Sequence, residues 1–152
     1  MIALVPLEMK SAAARPAVPM ANAVLVAVNV VAFFCAWSGP WAVGPGSGVL
    51  SILTYGFSHC SFWHLVANMW VLWVFGNPLN RRIGNGYYLA AYLGSLLLLG
   101  LFARLFLSSP IAGASGSIFA IIVMSLMLMP AARLLVAYIA CARTSTRADG
   151  GG

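Results

Sequence analysis

The sequence predicts an all-α integral membrane protein: a polytopic helical bundle of four transmembrane helices with a short fifth apolar segment. Composition is the first reason. Of 152 residues, 62% are hydrophobic and 7% charged, far outside the range of soluble domains, and the mean hydropathy is +0.98. The second reason is that the apolar residues gather in runs close to the ~20 a bilayer core requires, separated by Gly, Pro and Arg. The third is the scarcity of carboxylates. Glu8 and Asp149 are the only two. The stretch between them cannot support aspartyl proteolysis, a carboxylate proton relay or an oxygen-rich cation site.

The elements follow in order. A mixed N-terminal tail, residues 1–18, ends near Arg15-Pro16 and Pro19, and the first span covers residues 20–37. It is long enough to cross, so it reads as a transmembrane helix and not as a cleaved signal peptide. A loop over 38–48 carries Pro40, Pro45 and four glycines, which stop the helix. The second span covers 61–79, and Pro78 with Arg81 and Arg82 marks its end. The third covers 86–106, and the fourth 113–129, closed by Pro130. The apolar run 131–140 is too short to cross. Residues 19–140 thus form one membrane domain, and 141–152, polar and Gly-rich, form a disordered tail.

Charge orients the bundle. With the N-terminus cytoplasmic, Lys10, Arg15, Arg81, Arg82, Arg133, Arg143 and Arg147 all fall inside, and Arg104 alone lies near an outer end. Spans two and four then both run inward from the outer face. His64 and Ser115 each sit near the start of their span, within roughly 3–5 Å of one boundary at ~1.5 Å rise per residue. Polar groups far apart in sequence meet at one level.

Other classes fall away. The net charge of +6 comes from scattered Lys and Arg with no basic stripe interleaved with aromatics, so no nucleic-acid partner is expected. Cys35, Cys60 and Cys141 show no CxxC or metal-ligand spacing, so neither a disulfide framework, a metal nor another cofactor is implied. They read as packing or neutral residues. A small transporter lacks the intramembrane carboxylate that would bind a cation or proton.

Three polar side chains stand out. Ser115 lies in Gly113-Ala114-Ser115-Gly116 at the head of an apolar helix, and its glycines permit close approach of a substrate backbone or a neighbouring helix. A serine hydroxyl becomes a nucleophile only when a base takes its proton and donors stabilise the oxyanion. His64 and Asn68 share one helix face at i and i+4, and both can donate hydrogen bonds. Each motif alone has a plainer reading. Gly116 with Ala120 forms a small-residue packing seam, and His64 with Asn68 an interhelical polar pair. His59 lies near the outer boundary, ahead of the helix.

Together these residues identify a family. Phe57-Ser58-His59-Cys60-Ser61-Phe62-Trp63-His64-Leu65-Val66-Ala67-Asn68, then Phe75-Gly76, Arg82-Ile83-Gly84 and Gly113-Ala114-Ser115-Gly116, closely resemble the rhomboid intramembrane serine proteases. The resemblance covers residues 20–129, the first four of six core helices. It implies Ser115 as nucleophile, His64 and Asn68 lining the oxyanion hole with the Ser115 N–H, and His59 near the active-site water. It further implies Gly116 and Ala120 as the seam for the sixth helix.

The departures are equally specific. The family's general base is a histidine on the sixth helix, and here none follows His64. Asn80 replaces the glutamate of the FG-x-x-x-E segment, and the Trp-Arg pair of the first loop is missing. The shortness of that loop argues against the membrane-dipping structure some members carry there. The expected function is a rhomboid-type serine endopeptidase cleaving single-span substrates at the outer face of a membrane. A bacterial inner membrane is the expected home. The chain is expected to be incomplete, a truncated or frame-shifted product with little activity. The alternative is a non-catalytic relative that binds client transmembrane helices.

Overall fold

The computed structural model describes residues 18–35 and 42–129, which are helical apart from short connections. Helix α1 spans Met20–Cys35. After a loop come a single turn α2, Ser51–Thr54, and a 3₁₀ turn, Tyr55–Phe57. Helix α3, Phe62–Val71, passes through a wide π turn, Leu72–Gly76, into α4, Asn77–Ile83. Helices α5, Asn85–Phe106, and α6, Ser115–Leu128, complete the bundle. The apolar run 131–140 and the polar tail 141–152 lie outside the described residues.

Three of the four expected spans begin and end within about two residues of α1, α5 and α6. The second does not end at Leu79: helix continues through Pro78 to Ile83. In a regular helix the proline ring would collide with the carbonyl four residues back, and one ladder bond would be lost. The π turn widens the backbone just before Pro78, which then sits in the first turn of α4, where its missing N–H matters little.

Carbonyls loosened by that turn are met from other helices. Asn22 Nδ2 on α1 donates to the Leu72 carbonyl at 3.2 Å, and Ser125 Oγ on α6 donates to the Phe75 carbonyl at 3.1 Å. Asn22 is the hub of a larger polar cluster. Its Nδ2 also donates to Asn77 Oδ1 at 2.8 Å, its Oδ1 accepts from the Tyr88 hydroxyl at 2.6 Å, and its backbone N–H donates to Asn80 Oδ1 at 3.0 Å. Asn80 Nδ2 donates on to Asn85 Oδ1 at 2.9 Å. Asn80 is fully buried and satisfied as a neutral amide, which explains how the position works without a carboxylate.

The interior mixes apolar and polar side chains, and large apolar side chains also cover the outside. Asn22, Asn29 and Asn80 are fully buried, whereas Phe34, Leu98 and Phe106 are about 70% exposed. On α5 the buried face is Tyr88, Tyr92, Leu96, Gly100 and Ala103, and most of its leucines face outward. An apolar outer face with polar and small residues admitted between helices is the pattern of helices solvated by lipid. Among the described residues, one helix, Asn85–Phe106, is by itself long and apolar enough to cross a bilayer, and α1 and α6 are shorter apolar helices.

The segment ahead of α3 is not a plain loop. The Tyr55 hydroxyl donates to the Leu96 carbonyl at 2.9 Å, and a Cβ at Gly100 would come within 2.8 Å of the Tyr55 ring. Leu96 is ten residues from the end of α5, so this turn lies roughly 15 Å down that helix at 1.5 Å per residue. Val49, Leu50 and Leu53 are exposed beside it. Loop length alone was a poor guide, because Gly56 and Gly100 remove the bulk that would hold the segment off α5: a Cβ at Gly56 would strike Leu96 at 2.5 Å.

Candidate active site

Two connections converge at one end of the bundle. The chain entering α3 turns at Ser58–Ser61, where the Ser61 side chain caps the helix by accepting from the His64 N–H at 3.1 Å. The chain entering α6 is held by three backbone bonds. Val43 and Ile111 exchange N–H···O bonds of 2.8 Å each, and the Gly113 N–H donates to the Tyr55 carbonyl at 2.8 Å. Gly44 is buried against Pro110, where a Cβ would come to 2.7 Å from its Cα. Loop, 3₁₀ turn and α6 entry thus fix one another.

This brings His64 to the segment containing the serine. Gly113 has φ +111°, and a Cβ there would stand 3.0 Å from His64 Cε1 and 3.5 Å from Nε2. Only a glycine accepts both that backbone and that approach without strain. Ser115, two residues on, is the first residue of α6 and is exposed. No side chain caps α6, and among the described residues the Ser115 N–H and hydroxyl make no hydrogen bond. A helix start with free N–H groups attracts negative charge.

Asn68 lies one turn below His64 on α3, which packs against α6. It is buried, and its Nδ2 has no partner among the described residues. A buried, unused amide donor costs stability unless something binds to it. His59 lies beside His64. It is buried, its ring meets that of His64 edge to face at 5.3 Å between centroids, and neither ring nitrogen is bonded among the described residues. Burial, then the neighbouring His64, lowers its pKa below the ordinary value.

Gly116 packs within the described bundle, where Leu99 of α5 covers it: a Cβ there would be 2.7 Å from Leu99 Cδ1. Cys35 and Cys60 are exposed, so of the two readings, packing or neutral, interior packing does not hold for them, and Cys141 lies outside the described residues. Cys60 also has a partner that sequence reasoning passed over: its Sγ lies 3.2 Å from His64 Nδ1. The capping serine between them was the available signal, because the residue ahead of an N-cap folds back on the first turn of the helix. Among the described residues no cluster of His, Cys, Asp or Glu could hold a metal ion.

Chemically, the arrangement offers an exposed hydroxyl at a helix start, with a histidine ring packed on the preceding turn and a spare buried amide one turn below. A base in contact with the hydroxyl is not found among the described residues.

Comparison with known proteins bears on the family of the chain. The Rhomboid domain family model matches residues 46–146, running beyond the motifs that end at α6. Rhomboid protein 1, mitochondrial, of Saccharomyces cerevisiae is 36% identical over 94 residues, 57% of this chain and 27% of the yeast protein. Presenilin-associated rhomboid-like protein, mitochondrial, of Homo sapiens is 28% identical over 131 residues, 76% of this chain and 34% of the human protein. The Danio rerio protein A of the same name is 29% identical over 126 residues, 72% of this chain and 33% of its own length. This chain therefore spans about a quarter to a third of these relatives. Their mitochondrial names run against the bacterial inner membrane expected from sequence, where a basic inner face was the only guide and organelle and bacterial membranes share it. No solved structure matches the chain.

Proposed function

The chain belongs to the rhomboid family, generally intramembrane serine proteases, and we propose that it carries the nucleophile half of such an active site. In this reading the bundle crosses the bilayer four times, with α3, the π turn and α4 forming one continuous span. Ser115 Oγ attacks the scissile carbonyl of a single-span membrane substrate. The oxyanion accepts hydrogen bonds from the Ser115 N–H, a ring N–H of His64 and Asn68 Nδ2. His59 walls the far side of His64.

The observation that carries the proposal is the packing of His64 on Gly113, two residues ahead of an uncapped helix start, with Asn68 left unpartnered below. A packing pair would satisfy its own amide, whereas a waiting oxyanion site would not. The chain's two histidines are both on the oxyanion side, and using His64 as base would remove a donor. Among these 152 residues no third histidine is available as base, so the reading predicts little activity for these residues by themselves.

In a non-catalytic reading the same site holds a client helix uncut. Cleavage decides between them. The chain, extended by the fifth and sixth helices of a rhomboid relative, is reconstituted in vesicles with a model single-span substrate. Cutting that Ser115→Ala abolishes and that His64→Ala and Asn68→Ala weaken supports the protease. Substrate capture without cutting by the extended chain supports the binder.

A further inference from the structure

Cys60 stands at the turn into α3, exposed, with Sγ 3.2 Å from His64 Nδ1. The Ser61 cap, binding the His64 backbone N–H at 3.1 Å, fixes the turn between them. The other edge of the imidazole, Cε1 and Nε2, faces Gly113. One side of the ring therefore looks at a thiol and the other at the backbone just ahead of Ser115. His59 covers the ring edge to face, and its own nitrogens bond to nothing among the described residues, so it does not compete for Nδ1.

A neutral imidazole carries one proton, on Nδ1 or on Nε2, and the bond made by one nitrogen decides the state of the other. If Nδ1 held the proton, Nε2 would turn a lone pair toward Gly113 and Ser115 and repel a developing oxyanion. If Nδ1 accepts a proton from a neighbour, Nε2 must carry the N–H. Imidazole nitrogen is a good acceptor, whereas sulfur is a weak one, so the thiol donates.

We infer that Cys60 is a positioning residue: its S–H donates to His64 Nδ1 and holds the ring in the tautomer whose Nε2–H faces the Gly113–Ser115 backbone. The inference rests on the reading of His64 as an oxyanion donor. It accounts for a polar side chain four residues before His64, on the ring edge opposite the reacting atoms.

The test reads the tautomer directly and needs no activity. The chain holds two histidines, so ¹⁵N-histidine labelling in detergent gives two ring systems, with His59→Gln assigning them. His64 is expected as the Nε2–H form. Cys60→Ser, which keeps an O–H donor, is expected to retain it. Cys60→Ala is expected to lower the Nε2–H to Nδ1–H ratio about two- to tenfold, the range of one modest hydrogen bond, without moving the His59 signals. An Nδ1–H form in the unmodified chain, or the same ratio in Cys60→Ala, overturns the inference. The two readings fail separately: a Cys60-dependent tautomer in an extended chain whose cleavage ignores His64→Ala refutes the oxyanion role and leaves the thiol bond standing.

Discussion

The imidazole of His64 lies on the backbone of Gly113, with Cε1 3.0 Å from the point a Cβ would occupy. This contact joins the start of α3 to the start of α6 and sets the distance between the histidine and the serine turn. Because Gly113 also has φ +111°, Gly113→Ala strains the backbone and displaces the ring together. The expected cost is about 1–3 kcal/mol, read as a fall in thermal stability in detergent. Gly94→Ala is the control, since its Cβ would meet nothing within 4 Å. It should be neutral or stabilise by up to ~1 kcal/mol through helix propensity. Equal losses in the two variants would deny Gly113 a special role.

The π turn supplies a second expectation. A Cβ at Gly76 would fall on the Tyr88 hydroxyl and 2.5 Å from Asn22 Oδ1, the two atoms joined by a 2.6 Å hydrogen bond. Tyr88→Phe should cost about 1–3 kcal/mol by leaving a buried acceptor unpaired. Gly76→Ala should cost at least as much, since it forces the same pair apart. Both remove one bond, so the double variant should cost less than the sum. Strict additivity in a double-mutant cycle would show that Gly76 and the Asn22–Tyr88 pair act independently.

These contacts show what the sequence could reveal and what it could not. Apolar run lengths located α1, α5 and α6, and the i, i+4 spacing placed His64 and Asn68 on one face. The depth match that put His64 level with Ser115 needed only the direction of two spans. The continuation of helix past Pro78 was hidden because it depends on partners 50 residues away, Asn22 at the Leu72 carbonyl and Ser125 at the Phe75 carbonyl. The turn beside α5 was hidden for a similar reason. Gly56 and Gly100 matter only once Leu96 and Tyr55 are known to face them.

Acid should weaken the site through His59. Burial, and then His64, hold its pKa below the ordinary 6.5, so the folded chain binds fewer protons than the unfolded one between those values. The stability this group contributes is present above the unfolded value and is lost as pH falls through the depressed folded one. Thermal stability should therefore drop between pH 7 and the acid side of the histidine range, and His59→Gln should flatten that drop. A pH profile identical in the two proteins would remove His59 as the cause.

Orientation can be checked at glycines with room for a reporter. Gly44 is unsuitable because Pro110 covers it, whereas Gly48 and Gly86 are open. In a background without the native cysteines, expressed in the inner membrane of a bacterial host, Cys at position 48 should react with an impermeant thiol reagent in intact cells. Cys at position 86, on the side of Arg81 and Arg82, should react only after lysis. The reverse pattern would invert the bundle and put the Ser115 end on the inner side.

Fluorophosphonate labelling tests the central claim, that this chain holds a serine and its oxyanion donors without the base. The 152-residue chain and the chain extended by a relative's fifth and sixth helices are treated side by side, each with its Ser115→Ala variant. Base assistance typically contributes ~10²–10⁴-fold. The unextended chain should therefore label no more than Ser115→Ala, and the extended chain should gain labelling that Ser115→Ala abolishes. Strong Ser115-dependent labelling of the unextended chain would contradict the account, because a proton acceptor would then already be in place.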